Sequence, residues 1–283
     1  MRQIMTSNPY LRRANTISAE DLSTLLGKAA NLVLLDVRFT PGKPGRRESY
    51  LQDHLPEAHY IDLPTELADP VARQQGRGSN PLPAVSNLQD DLRKLGVFRD
   101  SQIVVYDDTN GAAAARAWWT LIWAGVAEVR ILEGGISAWK AAGYPRASGE
   151  IGIVQPGDIE LKPGKLVSLH VEQVAAFPQH GTLVDVRPAA AFSGEGTGHI
   201  PGAKSFPADR LVDPDGKFVA EEQLRQRLRD ADIDIDRPLA AYCGGGIASS
   251  LFTLALAQIG KDVALYPGSW SEWTSDPNRP VEV

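Results

Sequence analysis

A single cysteine, Cys243, is the strongest candidate for chemistry in this 283-residue sequence. Three glycines follow it, and an apolar segment of helical length then covers residues 247–258. Glycines let a loop curl so that successive backbone N–H groups point at one spot, and a helix start adds unpaired N–H groups and a positive dipole end. Such a site favours the thiolate, the nucleophilic form of cysteine. We therefore predict a catalytic Cys243 in a loop whose N–H groups stabilise an anion, formed by Gly244, Gly245, Gly246, Ile247, Ala248 and Ser249.

The residues that flank this loop indicate how it is positioned. Leu239–Tyr242 is an apolar run that predicts a buried strand, and Gly260 stands where a helix-ending glycine is expected. A buried structural cysteine is the alternative interpretation, because free cysteines are often fully buried. The three glycines favour function, since a glycine costs about 1 kcal/mol within a helix.

A repeat relates the two halves of the chain. Residues 34–38 (Leu-Leu-Asp-Val-Arg) recur as residues 183–187 (Leu-Val-Asp-Val-Arg), and Tyr106 matches Tyr242. Asp107 therefore stands where Cys243 stands in the second half. A carboxylate can accept the loop's N–H groups but cannot act as a sulfur nucleophile. We predict one working half, and one half that serves structure and walls the cleft between them.

Strand and helix signals alternate in both halves. In the first half they predict strands over residues 103–106 and 129–132 and helices over 112–124 and 136–142. This alternation predicts an α/β fold in which each half is a parallel sheet flanked by helices on both faces. Glycine and proline are frequent in residues 146–165, which we interpret as a linker between domains of residues 10–145 and 166–283. Cys243 then lies at the carboxyl end of a strand, where such sheets carry reactive groups.

Composition argues against several kinds of site and partner. One cysteine excludes an intramolecular disulfide and a Cys-rich zinc site, and the five histidines show no metal-ligand spacing, so we expect no metal. The net charge of −6 argues against a nucleic-acid partner, and no apolar run reaches transmembrane length. We expect a cytoplasmic protein, a compartment in which a thiol stays reduced.

Several motifs together resemble the tandem-domain rhodanese sulfurtransferases, over about residues 10–283. The matching segments are residues 35–38, 54–58, 134–139, 185–187, 198–203, the Cys243 loop and residues 267–273. The resemblance implies two similar α/β domains, an inactive first one that has Asp107 at the cysteine position, and a persulfide-forming Cys243 in the second. It implies no metal and no organic cofactor.

The mechanism that the resemblance implies is a double displacement. Cys243 takes a sulfur from thiosulfate or 3-mercaptopyruvate and releases sulfite or pyruvate, while the loop N–H groups stabilise the persulfide. Because the chain has no second cysteine, the acceptor, a thiol or cyanide, must come from outside.

The chain departs from the family at the positions that would bind the donor anion. Thiosulfate-type members usually place basic residues after the cysteine, whereas Gly244 and Gly245 follow it here; the neutral loop is more similar to the 3-mercaptopyruvate type. Ala191 stands where an anion-binding arginine is usual. We therefore leave the donor open, and we expect Gly245→Arg to shift the preference towards thiosulfate.

Three further side chains have two possible roles each. Arg187 contacts substrate or, like Arg38 in the first half, belongs to a structural Asp–Arg pair. Trp270 faces the cleft or packs in the core. Ser249 lends a hydroxyl to the sulfur or caps the helix.

Two other classes of function are alternatives. A cysteine-dependent phosphatase needs an arginine at the end of the loop, where this chain has Ser249, and no Arg or Lys occurs between Tyr242 and Lys261. A non-catalytic sulfur-sensing or binding protein is the other alternative. Only an enzyme is expected to gain a sulfur at Cys243 and lose it to cyanide.

Overall fold

A computed structural model describes residues 11, 14–29, 31–43, 46–152, 154–193 and 198–283. Within these residues, five parallel strands form a sheet in the first half and four parallel strands form a sheet in the second. The strands are β1 Thr16–Ile17, β2 Leu32–Asp36, β3 Ala58–Tyr60, β4 Gln102–Tyr106, β5 Glu128–Leu132, β6 Thr182–Asp185, β7 Lys204–Ser205, β8 Leu239–Tyr242 and β9 Val263–Leu265. The strand orders are β1-β5-β4-β2-β3 and β7-β6-β8-β9.

Helices connect these strands. They are α1 Ala19–Leu25, α2 Arg47–Gln52, α3 Leu63–Glu66, α4 Pro70–Gln74, α5 Val85–Lys94, α6 Ala112–Ala124, α7 Gly135–Ala141, α8 Val171–Ala176, α9 Ala189–Phe192, α10 Glu221–Asp230, α11 Ala248–Gln258 and α12 Ser269–Trp273, with 3-10 turns at Phe177–Gln179 and Ala208–Arg210. The bounds of β4, β5, α6 and α7 agree with the predicted ones to within a residue.

Both faces of each sheet are buried, which explains why the strands are apolar at successive positions rather than at alternate ones. Along β2, Val33 and Leu35 join one apolar cluster with α5 and α6, while Leu34 joins another with α1 and α7. In the second half Ala241 faces α10 and α11, and Ala240 faces α8 and α12. The predicted parallel α/β fold with helices on both faces is confirmed.

The two halves share one apolar core. Helices α6 and α11 occupy equivalent positions in the repeat and pack against each other, and a single cluster of buried residues runs through both. The start of each helix follows the loop that carries Asp107 or Cys243. The packing of α6 on α11 therefore brings the two loops to one side of the interface between the halves.

Residues 146–165 form no helix or strand in their described part, yet they are packed against the first half. The N–H of Gly157 donates to Arg93 O at 2.8 Å, and that of Lys162 donates to Ala124 O at 2.8 Å. Ile159 and Leu161 are buried. Among the described residues, no helix has the length and apolar character that crossing a membrane requires.

Candidate active site

Cys243 follows β8 directly and lies at the carboxyl end of that strand, as the sequence predicts. Its side chain is 3% exposed and lines a cleft between the two halves with a volume of about 2100 Å³. The cleft is also lined by Gly244, Gly245, Ile247 and Ala248 of the predicted loop. The thiol is therefore mostly covered but opens on a space that a small molecule can enter.

Gly246 gives the loop its turn. Its φ of 79° is in the left-handed region, and a Cβ atom there would lie 2.4 Å from Pro267 O. Only glycine fits this position without moving the backbone. Helix α11 begins two residues later, so its first N–H groups face the curled loop.

The N–H groups of residues 244–249 donate to no acceptor in the part of the chain that the structure describes. The hydroxyl of Ser249 donates to Cys243 Sγ at 3.4 Å. Backbone N–H groups near a helix start that lack protein acceptors form an anion-binding cradle. Of the two predicted roles of Ser249, this contact favours the one beside the sulfur.

The equivalent loop in the first half already holds an anion. Asp107 Oδ1 accepts N–H bonds from Thr109 and Gly111 at 3.0 and 3.1 Å, and Oδ2 accepts from Ala113 and Ala114, both at 3.1 Å. Burial raises the pKa of Asp107, and these N–H bonds oppose the rise. Three of the four matching N–H groups in the second half belong to Gly245, Ile247 and Ser249 of the Cys243 loop.

The backbone of Cys243 is clamped by the start of α12. Its N–H donates to Ser269 Oγ at 3.2 Å, and its carbonyl accepts from the N–H of Trp270 at 2.9 Å. Ser271 N–H donates in turn to Gly244 O at 2.9 Å. Ser269 has a φ of 55°, a left-handed conformation that is costly for a residue with a side chain. The strained serine therefore fixes the backbone from which the thiol projects.

The first half also holds the loop. Asn80 Nδ2 donates to Gly245 O at 2.9 Å, and the fully buried Arg116 of α6 donates from Nη1 to Gly246 O at 3.2 Å. A Cβ atom on Gly245 would lie 3.0 Å from Ser79 Cβ. The first half, which is predicted to serve structure and to wall the cleft, thus also contacts the Cys243 loop directly through its side chains.

Arg187 lines the cleft, but its guanidinium is already engaged. Nε donates to both Asp185 oxygens at 3.0 Å, and Nη2 donates to Gly198 O at 2.6 Å. Arg38 forms the same pair with Asp36 in the first half. This recurrence favours the structural role for Arg187.

Trp270 does not face the cleft. It is 8% exposed, is absent from the residues that line the cleft, and stacks under the guanidinium of Arg187 at 4.3 Å. Its ring packs in the buried apolar cluster of the second half. Its geometry thus gives no support to the predicted substrate contact.

Three residues at the site were missed by sequence reasoning. Asn80 lies in a long loop with no repeat partner, so no sequence signal identified it. Arg116 is the only charged residue in an otherwise apolar helix, and Ser269 replaces Gly135 of the repeat. The last two signals were visible, because a lone charge in a buried helix and a changed glycine both need an explanation.

No cluster of three or more His, Cys, Asp or Glu side chains placed to hold a metal occurs among the described residues. The cleft carries charges of both signs. Its carboxylates are Asp62, Asp209, Asp213 and Asp215, and its cations other than Arg187 are Lys43, Arg73 and Lys217.

The fold and the site thus define a two-domain α/β protein with one cysteine in an anion-binding loop. A profile of the rhodanese-like domain matches residues 18–142 and again residues 170–276. The chain belongs to the rhodanese-like domain family, with one copy of the domain in each half.

Similar proteins carry names that cite two sulfur donors. SseB of Mycobacterium tuberculosis is 40% identical over 276 residues, which cover 94% of this chain and 95% of that protein, and its name assigns it provisionally as a thiosulfate sulfurtransferase. A Pseudomonas aeruginosa protein is 40% identical over 287 residues, which cover 95% of this chain and 98% of its own length; its provisional name is 3-mercaptopyruvate sulfurtransferase. The crystal structure of Escherichia coli SseA, described as a 3-mercaptopyruvate sulfotransferase, aligns with a TM-score of 0.82 and 28% identity over 91% of this chain and 99% of that one.

Proposed function

We propose that this chain is a sulfurtransferase that carries a sulfane sulfur on Cys243 from a small-molecule donor to an external acceptor. One observation carries the proposal. Four N–H groups close on the Asp107 carboxylate in the first half, and the matching loop in the second half presents, beside a thiol, N–H groups that have no acceptor among the described residues. A Cys243 persulfide would supply the anion that this loop lacks.

The chemistry is a double displacement at sulfur. The Cys243 thiolate attacks the outer sulfur of thiosulfate, the S–S bond of the donor breaks, and sulfite leaves with the electron pair. With 3-mercaptopyruvate the C–S bond breaks instead, and the enolate that leaves takes up a proton to become pyruvate. Cyanide or an acceptor thiolate then attacks the outer persulfide sulfur and releases the Cys243 thiolate.

Each part of the loop has a role in this proposal. The N–H groups of Gly244, Gly245, Gly246, Ile247, Ala248 and Ser249 stabilise the persulfide anion, in the manner of an oxyanion hole. The Ser249 hydroxyl, 3.4 Å from Sγ, adds one donor. Arg187 holds the adjacent loop through Asp185, and Trp270 supports Arg187; neither needs to touch the donor.

The two domains divide the work in this proposal. Residues 166–283 form the catalytic domain. Residues 10–145 form a domain without its own reaction, because Asp107 fills its loop, and residues 146–165 connect the two. The first domain closes the cleft and holds the Cys243 loop through Asn80 and Arg116.

The donor is thiosulfate or 3-mercaptopyruvate, and the names of the relatives divide between them. Both donors carry an anionic end, and the cleft offers Lys43, Arg73 and Lys217 as cations for it. The loop itself adds no positive side chain. Part of the proposal is a cytoplasmic location, since Cys243 must stay reduced between turnovers.

A phosphatase is the weaker candidate. Its mechanism needs a guanidinium aimed at the anion from the end of the loop. The arginine that contacts this loop, Arg116, donates to the carbonyl of Gly246 and not into the cradle. A purely sulfur-binding role would need the persulfide to resist acceptors, and the open cleft beside Cys243 does not favour that.

A cyanide-dependent thiocyanate assay with both donors in parallel tests the proposal. Wild-type protein should form thiocyanate with at least one donor, and mass spectrometry should show one added sulfur on Cys243 that cyanide removes. Cys243→Ser should lose at least about a thousandfold in rate. Full activity of this variant, or no sulfur on the wild-type thiol with either donor, contradicts the proposal.

A further inference from the structure

The proposed mechanism leaves one buried charge unexplained. Arg116 is 0% exposed, and in the described part of the chain it has no carboxylate partner. Its Nη1 donates to Gly246 O at 3.2 Å and its Nη2 to Asn80 O at 2.8 Å, while Nε finds no hydrogen-bond partner among the described residues. A buried cation held only by neutral carbonyls is unusual, because desolvating a charge costs several kcal/mol unless an opposite charge compensates.

The repeat shows that the fold does not need a charge at this position. Phe252 of α11 stands where Arg116 stands in α6, is fully buried, and packs edge-on against Phe206. In the second domain an apolar residue therefore fills the equivalent buried position of the helix. The reason for an arginine must therefore lie in the surroundings of α6, and there Arg116 contacts the Cys243 loop.

Among the described residues, Cys243 is the ionisable group whose charge acts on Arg116. Burial lowers the pKa of Arg116 to about 10, and a negative charge on Cys243 opposes that fall. Even so, the guanidinium stays protonated at neutral pH. It therefore places a full positive charge beside a loop that has no basic residue from Cys243 to Ser249.

The hydrogen bond to Gly246 O also sets the direction of an N–H group. In a trans peptide the carbonyl and the following N–H point to opposite sides. Because Arg116 and the Ser250 hydroxyl both hold Gly246 O, the Ile247 N–H points away from them. The matching N–H in the first half, that of Gly111, donates to the Asp107 carboxylate.

We propose that Arg116 of the first domain is a positioning residue for the sulfur anion on Cys243, turning the Ile247 N–H into the cradle and supplying the positive charge that the loop lacks. The inference rests on the proposed function, because the anion it serves is the thiolate and then the persulfide. It assigns the non-reacting domain a direct part in the chemistry of the other.

The test measures the rate of Cys243 alkylation by iodoacetamide as a function of pH, which needs no donor. The thiolate is the reacting form, so the midpoint of the profile reports how strongly the protein favours the anion. Arg116→Met and Arg116→Gln should both move the midpoint upwards by about one pH unit. Their rate of thiocyanate formation at neutral pH should fall about tenfold for the same reason.

Matched variants separate charge from packing. Leu121→Ala removes a fully buried side chain from the same helix without changing any charge, so it should lower stability and leave the midpoint in place. Arg116→Lys keeps a cation and should recover part of the shift. Arg116→Gln keeps an amide that can donate to a carbonyl, so a shift in this variant reports the lost charge.

Other titratable groups do not confuse this comparison. Helix α11, which packs on α6, carries no titratable side chain from Ala248 to Gln258, and Arg116 is the only one on α6. The cleft carboxylates and cations, together with Arg187, are unchanged in every variant. The difference between variants therefore isolates Arg116.

An unchanged midpoint in folded Arg116→Met and Arg116→Gln overturns the inference. If neither variant folds, the free energies of unfolding of wild type and Cys243→Ala decide, from about pH 6 to about pH 9, a range that brackets the ordinary thiol value of about 8.5. A thiolate favoured by folding adds stability above that value and loses it as pH falls, so the wild-type advantage should grow with pH. A difference that stays constant overturns the inference.

Failure of the proposed function has a different signature. In that case wild-type Cys243 gains no sulfur from either donor. If the inference alone fails, wild type gains the sulfur and the Arg116 variants alkylate with the wild-type profile.

Discussion

The loops that begin at Asp107 and at Cys243 occupy equivalent places in the two sheets but serve two purposes. Each follows a central strand, turns at a glycine and leads into a buried helix. In the first domain the N–H groups close on a carboxylate that belongs to the chain. In the second they face a thiol and a cleft. The first loop carries its own anion, and the second is built to receive one.

Access is the other difference between the loops. Asp107 does not line the cleft, and Gly135 presses against it so closely that a Cβ atom there would lie 2.3 Å from Asp107 O. In the second domain Ser269 replaces that glycine with the same left-handed backbone, and its hydroxyl accepts the Cys243 N–H. The duplication thus provides two similar loops, of which the Cys243 loop places its side chain in the cleft and the Asp107 loop does not.

The largest effect is expected when the second loop is made a copy of the first. Cys243→Asp should abolish sulfur transfer, by at least about a thousandfold, because a carboxylate cannot form a persulfide. Its stability should fall by less than about 1 kcal/mol or should rise, since the free N–H groups gain an acceptor. Thiocyanate assays and urea unfolding measure the two quantities. A severe loss of stability would contradict the conclusion that N–H groups of this loop are available to bind an anion.

Removing the built-in anion should cost the first domain stability. Asp107→Ala leaves four N–H groups without their acceptor, of which those of Ala113 and Ala114 are buried, and should lower the free energy of unfolding by about 3 kcal/mol. Cys243→Ala should cost clearly less, and Asn110→Ala in the exposed part of the loop should stay within about 0.5 kcal/mol. If Asp107→Ala and Cys243→Ala lower the free energy of unfolding equally, the Asp107 side chain does not stabilise its loop more than the Cys243 side chain stabilises the other.

The two glycines after Cys243 should differ as substitution sites. A Cβ atom on Gly245 would lie 3.0 Å from Ser79 Cβ and 3.1 Å from Asn80 Nδ2, whereas one on Gly244 meets nothing within 4 Å. Gly245→Arg, predicted from sequence to favour thiosulfate, should instead push the first domain away and lower the rate with both donors.

Gly244→Arg is the variant expected to raise the ratio of thiosulfate to 3-mercaptopyruvate activity, by about tenfold, because it adds a cation in open space beside the thiol. Gly244→Ala serves as the control and should stay near the wild-type ratio. Parallel rates with the two donors provide the measurement. An unchanged ratio in Gly244→Arg would show that charge at this place does not select the donor.

Sequence reasoning reached the fold and the centre of the site because both leave local patterns. Apolar runs of strand length, the motif repeat and a cysteine before three glycines lie within short windows. It did not predict β1, β3, β7 or β9, whose two or three residues carry too little pattern. Asn80 and Arg116 were missed because their role depends on contacts between the domains, more than 100 residues away along the chain. The two roles open to Trp270 could not be separated from sequence, because the orientation of a ring follows from packing.

The smallest expected effect concerns Ser249, which stands where Ala113 stands in the first loop. Both residues present an N–H to the cradle position, but only Ser249 adds a hydroxyl, 3.4 Å from Sγ. An O–H donor to sulfur is weak, so Ser249→Ala should lower kcat/KM by about threefold and leave stability nearly unchanged. Thr253→Ala is the matched control, because its buried hydroxyl donates to a helix carbonyl, Ser249 O, and not to the sulfur. A loss beyond about a hundredfold in Ser249→Ala would make the hydroxyl, rather than the backbone, the main stabiliser of the persulfide. The second loop would then stabilise its anion mainly through a side chain, whereas the first uses backbone N–H groups.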